Sequence, residues 1–145
     1  MPFPVGGGIN SLAHIEKLIN SGVERLVIGN EAAANPKFIY LAANTFGSST
    51  IIVCMDVKKN LFGKEMLVGL NGKLTYPCNV LDFAKLVEQH GVGELVVQSV
   101  DRDGKMNGYE KKLIKRISDE VSVPVIALGG AGNYTHLKEC TIFAM

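Results

Sequence analysis

Residues 50–57 read TIIVCMDV, an apolar run broken near its end by one carboxylate, Asp56. A strand with one wet face alternates apolar and polar residues. This run does not alternate, so it reads as a strand buried on both faces, the habit of parallel sheets. Working outward, the same punctuation recurs. Ser11 can cap a helix whose Leu12, Ile15, Leu18 and Ile19 fall on one face, with Gly22 as its stop. Residues 25–29 form the next strand candidate. Asn35-Pro36 is a cap followed by a proline at the first helical position, opening a helix that runs to Gly47. Beyond the central strand come a helix at 80–90 ending at Gly91, a strand at 94–100, a helix at 110–120, a strand at 123–128 and a last helix from about Tyr134. Strand and helix alternate along the chain, which implies a parallel sheet with helical crossovers.

One connection departs from this rhythm. Between Val57 and Val80, Asn71-Gly72 lies between two short strand-like runs, 65–70 and 73–76. Asn-Gly is the strongest short hairpin signal, so an exposed hairpin is expected in this strand-to-helix loop. Long loops in compact domains usually serve function.

Composition excludes several classes. The chain has 145 residues, enough for one domain over 1–145 with its own core. Hydrophobic residues make up 47% and charged residues 20%, the balance of a folded chain rather than a disordered one. Lys+Arg is 15 against Asp+Glu 14, so no strong field draws nucleic acid or anionic lipid, and neither is expected as a partner. No apolar run approaches the ~20 residues of a membrane span. The start MPFPVGGGIN lacks the basic and apolar regions of a secretory signal, so a cytoplasmic location is expected. Cys54, Cys78 and Cys140 form an odd set without C-x-x-C spacing. Neither a disulfide framework nor a zinc site fits, and Cys54, inside an apolar run, reads as a small buried hydrophobe.

Four features could carry chemistry. Gly6–Gly8 and the stretch 129–132 each end a strand and precede a helix, where backbone N–H groups can face an anion. The plain alternative is a tight turn, for which glycine is the usual residue. Asp56 would be costly if buried and unpaired. At the end of a parallel strand it faces the crevice where ligands bind, and suits acid–base work. Asp101-Arg102-Asp103-Gly104 follows another apolar strand but fails the calcium-loop pattern, leaving a rigid acidic loop. Lys111, Lys112, Lys115 and Arg116 oppose Leu113, Ile114 and Ile117 and read as a solvated helix face. His14, His90 and His136 fall on or at the ends of helices and are not expected to be ligands.

Taken together, VGGGI at 5–9, Asn35-Pro36, the aspartate of CMDV, the stretch SVDRDG through Gly108-Tyr109 and PVIALGGAG at 124–132 resemble the cyclase subunit of imidazole glycerol phosphate synthase. That family is a (βα)8 barrel of histidine biosynthesis. The resemblance runs from about residue 4 to 139 and matches barrel units three to seven. It implies a partial TIM-type barrel of about five βα units. An open, doubly wound flavodoxin-like sheet is the alternative architecture.

The resemblance also implies roles. Asp56 matches a catalytic aspartate, and Asp103 the acidic residue of the sixth-strand loop. Gly7, Gly8 and the Asn30 position match one phosphate site, and Gly129 with Gly130 half of a second. Arg25 and Glu94 match a charged ring at the opposite mouth that gates ammonia from a glutamine amidotransferase. The expected ligand is a phosphorylated small molecule; no cofactor or metal is implied. Gly29-Asn30, Gln98 and Leu128 depart from the family's Asn-Thr or Asn-Ser, threonine and serine. With the long hairpin, they look more like paralogues serving surface-polysaccharide amidation. A non-catalytic, phosphate-binding, self-associating half-barrel is the third reading. The strand bearing the family's second catalytic aspartate has no counterpart in these residues. The isolated chain is therefore expected to be inactive, and its open sheet edges to make it a homo-oligomer.

Overall fold

The computed structural model describes residues 3–144, with side chains through Ile142. Residues 1, 2 and 145 of the expected 1–145 domain lie outside them. In chain order the elements are β1 (Pro4–Gly6), α1 (Leu12–Asn20), β2 (Arg25–Ile28), α2 (Asn30–Ala34) and α3 (Lys37–Phe46). After a single 3-10 turn at Ser48–Thr50 come β3 (Ile51–Lys59), β4 (Glu65–Gly69), β5 (Leu74–Thr75) and α4 (Val80–Gln89). The chain continues with β6 (Glu94–Ser99), α5 (Lys111–Ser118), β7 (Val125–Leu128) and α6 (Tyr134–Ala144).

Local chemistry sets the boundaries. Ser11 Oγ accepts the His14 amide at 3.2 Å at the start of α1, and Asn79 Oδ1 accepts the Leu81 amide at 2.8 Å at the start of α4. Asn71 and Gly72 hold φ of 58° and 80°, the left-handed pair that a type I′ hairpin turn needs. The short helix α2 occupies what the sequence suggested was a loop before Asn35.

Five strands run parallel in the order β1-β2-β3-β6-β7. Each βα step adds its strand on the same side, as in a barrel. A doubly wound sheet reverses direction at a switch point. The flavodoxin-like alternative also fails on packing. Ile51, Val53, Met55 and Val57 of β3, with Leu95 and Val97 of β6, join one core with residues from all six helices, such as Ile15, Ile39, Phe83, Ile117 and Cys140. The helices thus cover one face of the sheet. The other face carries Val27, Cys54, Asp56, Val96, Gln98, Ile126 and Leu128, all half-buried or exposed. This is an α/β fold of the partial TIM-barrel type, with the uncovered face in the place of a barrel interior.

That arrangement corrects the first reading of β3. Its burial alternates from Val53 onward because only its helix-facing residues are sealed. β3 is also longer than expected, and its extension has a purpose. Past the end of β2, residues 56–59 of β3 pair antiparallel with β4, which in turn pairs with β5. The hairpin is therefore a continuation of the main sheet above the carboxyl end of β2.

Candidate active site at the carboxyl ends of the strands

Asp56 sits on the uncovered face, side by side in register with Gln98 on β6, which pairs onward with Leu128 on β7. The top layer of the uncovered face thus runs carboxylate, carboxamide, leucine. Cys54, two residues earlier on the same face, donates its thiol to Asp56 Oδ1 at 3.6 Å. This corrects the reading of Cys54 as a plain hydrophobe: residues i and i+2 of a strand share a face. Burial, with the Asp56 charge, pushes the Cys54 thiol up to about 12, so it remains a donor. Burial raises the Asp56 carboxyl above its ordinary range, the Cys54 hydrogen bond opposes this, and the Asp103 charge adds to it.

Asp103 reaches the same place because the loop after β6 turns back tightly. Ser99 O accepts the amides of Arg102 and Asp103 at 3.1 and 3.0 Å. Asp101, Arg102 and Asp103 then separate. Asp101 Oδ2 accepts the Lys59 amide at 2.7 Å, tying the loop to β3. Arg102 donates to Glu110 Oε2 at 2.9 Å and to the Gly108 carbonyl at 3.2 Å. Asp103 turns instead to the uncovered face, where Gln98 Nε2 donates to its Oδ2 at 3.3 Å. Burial would raise Glu110, but hydrogen bonds and charges from Arg102 and Lys59 pull it below its usual value. Glu110 thus serves to brace the loop.

The two glycine turns differ in kind. Gly7 and Gly8 hold φ of 113° and 64°, and a Cβ on either would meet nothing within 4 Å. Packing does not explain these glycines; their left-handed φ does, and the space beside them is open. A Cβ on Gly129 would come within 2.8 Å of the Ser99 carbonyl, and one on Gly130 within 2.2 Å of the Gly108 carbonyl. Those glycines let the β6–α5 loop, and Asp103 with it, lie against the end of β7.

Asn30, just past β2, does something the sequence did not signal. Its Oδ1 accepts the Leu70 amide at 2.9 Å, and its carbonyl accepts the Tyr76 hydroxyl at 3.4 Å. A Cβ on Gly69 would collide with Asn30 Oδ1 at 2.6 Å. The hairpin is thereby clamped over the site. With Oδ1 used, the Asn30 NH₂ has no hydrogen-bond partner among the described residues.

At the opposite end of the sheet, Arg25 and Glu94 open β2 and β6 and form an ion pair that reaches across β3. The histidines lie apart. His90 Nδ1 contacts the Pro36 carbonyl at 2.8 Å, and His136 Nδ1 accepts the Gly132 amide at 3.1 Å.

Comparison with known proteins shows the family. A family model described as histidine biosynthesis protein matches residues 1–143. An imidazole glycerol phosphate synthase subunit HisF of Prochlorococcus marinus (strain NATL1A) is 38% identical over 141 residues, covering 96% of this chain and 55% of that protein. A Vibrio vulnificus (strain YJ016) protein bearing the hisF2 name for such a subunit is 40% identical over 142 residues, 98% of this chain and 52% of that one. The HisF subunit of Alkaliphilus metalliredigens (strain QYMF) is 38% identical, with 98% and 56% covered. The chain spans about half the length of the curated relatives it matches. On the model's span and these identities, the chain belongs to the histidine biosynthesis protein family.

Proposed function

We propose that these residues supply one side of a cyclase site of the imidazole glycerol phosphate synthase type. The ligand is a phosphorylated ribulosyl aminoimidazole carboxamide, and ammonia closes the imidazole ring. Asp56 is the acid–base residue, with Asp103 beside it. Gly7, Gly8 and Asn30 hold one phosphate, and the backbone of Gly129 and Gly130, beside its packing role against the β6–α5 loop, holds part of a second. The observation that carries the reading is that Asp56 and the open glycine turn stand at the carboxyl ends of strands in one sheet, where barrel enzymes assemble their sites. Two anchored ends fix a long substrate against the carboxylate.

Ammonia fits an entry at the other mouth, where the Arg25–Glu94 pair would face a glutamine amidotransferase. Exposed Ile126 and Leu128 on the uncovered face fit self-association, which a stable monomer by light scattering across micromolar concentrations would overturn. Among the described residues no helix is long and apolar enough to cross a membrane, in keeping with work in the cytoplasm. Gln98 and Leu128 on the pocket floor favour a second reading, a cyclase-like paralogue of surface-polysaccharide amidation with a different phosphorylated substrate. A calorimetric titration with the ribulosyl substrate separates the two. The cyclase reading expects binding that weakens at least tenfold in Gly7→Ala; no binding by a folded chain overturns it.

A further inference from the structure

We propose that Gln98 is a positioning residue: its carboxamide holds the Asp103 carboxylate over the same end of the pocket as Asp56, so that the two carboxylates act as a coupled pair. The inference rests on the site described above and names a residue whose role the site's other members do not supply.

Three observations converge on it. Gln98 is the register partner of Asp56, so the two side chains rise from adjacent strands on one face. Its Nε2 donates to Asp103 Oδ2 at 3.3 Å. The Asp103 backbone is held beside them by its amide, which donates to the Ser99 carbonyl at 3.0 Å, and it lies alongside Gly129 at the end of β7. The turn on Ser99 brings the loop near, and among the described residues the Gln98 carboxamide is the hydrogen-bond donor to the Asp103 side chain. A hydrogen-bond donor there offsets part of the repulsion that would otherwise drive two carboxylates apart.

The groups around Asp56 make the coupling measurable. On its own strand are Cys54, which donates to it, and Lys58, whose chain runs to Gly72 of the hairpin. On β4 its partner is the apolar Val68. On β6 it is the neutral Gln98, and on the following loop Asp103. Among these, Asp103 supplies a negative charge that raises the Asp56 carboxyl, after burial and against the Cys54 bond.

The test is a carboxyl-carbon NMR titration of Asp56 in the folded 145-residue chain. The variants are Asp103→Asn, Gln98→Met and the double variant, with amide spectra verifying the fold. Asp103→Asn should lower the Asp56 midpoint, by removing the like charge that raises it. Gln98→Met should lower it in the same direction, and the double variant no further than Asp103→Asn alone. A purely structural Gln98 would change thermal stability and leave the Asp56 midpoint in place. Two results overturn the proposal: an unmoved midpoint in Gln98→Met, or in Asp103→Asn. Neither depends on turnover or on phosphate binding, so loss of the cyclase reading would appear separately, as wild-type protein that binds no substrate.

Discussion

Asn30 and Leu70, forty positions apart in the chain, are joined by a hydrogen bond of 2.9 Å from the Leu70 amide to Asn30 Oδ1. That bond fixes the hairpin to the end of β2 and fixes which end of the Asn30 amide is left for a ligand. Leu70 pays with a left-handed backbone, φ 49°, which a leucine seldom adopts. Asn30→Ala should therefore free the hairpin. Hydrogen exchange at the Leu70 amide is expected to accelerate, with a global stability loss of about 0.5–1.5 kcal/mol. Unchanged protection at Leu70 would mean that β4 pairing alone holds the hairpin.

The glycine turns should respond to alanine in opposite ways. Gly130→Ala drives a Cβ into the Gly108 carbonyl group, with the Arg102 Cβ also within 3.1 Å. A loss above about 2 kcal/mol in denaturant unfolding is expected. Gly8→Ala meets open space and bears only the cost of its positive φ, about 1 kcal/mol. Equal losses at the two sites would remove the distinction between an open cradle and a packing joint.

Asp56 and Glu110 should give opposite pH dependences of stability. Asp56 is raised in the folded state. The native chain thus binds more protons there, and stability falls as pH rises from the ordinary aspartate value of 3.8 through the raised one. Asp56→Asn should accordingly be more stable than the wild type at neutral pH and converge with it in acid. Glu110 is lowered. Its contribution is present above the ordinary glutamate value of 4.5 and is lost as pH falls through the depressed one. Glu110→Gln should be the less stable protein at neutral pH, again converging in acid. Denaturation midpoints from pH 3 to 8 read both signs.

Much of this was legible in the sequence. The strand-to-helix rhythm follows from short apolar runs bounded by caps and glycines, and the Asn71-Gly72 hairpin from turn chemistry, because both are local. Asp56 stood out because a carboxylate in an apolar strand needs a reason. The parts that were hidden depend on register and return of the chain. Nothing near Asn30 announces Leu70, and nothing near Gln98 announces that it stands beside Asp56 and under Asp103. Cys54 looked apolar because its neighbours are; its hydrogen bond follows from which face of β3 stays uncovered. Gly7 and Gly130 read alike as glycines, and only the chain packed against them separates the two.

The isolated chain should show no appreciable ring closure with ammonia supplied directly. Closing the imidazole needs proton transfers at two positions, and Asp56 and Asp103 both lie at one end of the pocket. Groups that act as a unit lose most of the rate when one is lacking. Robust turnover that disappears in Asp56→Asn would show that these residues, or a second copy of the chain, complete the pair.

The most direct measurement is an amide NMR titration of the 145-residue chain with inorganic phosphate. The site described here predicts saturable shifts at Gly7, Gly8 and the Asn30 side chain, reduced in Asn30→Asp, which keeps the acceptor for Leu70 but replaces the outward donor with a charge. Unchanged amides at Gly7 and Gly8 up to millimolar phosphate, in a folded protein, would contradict it.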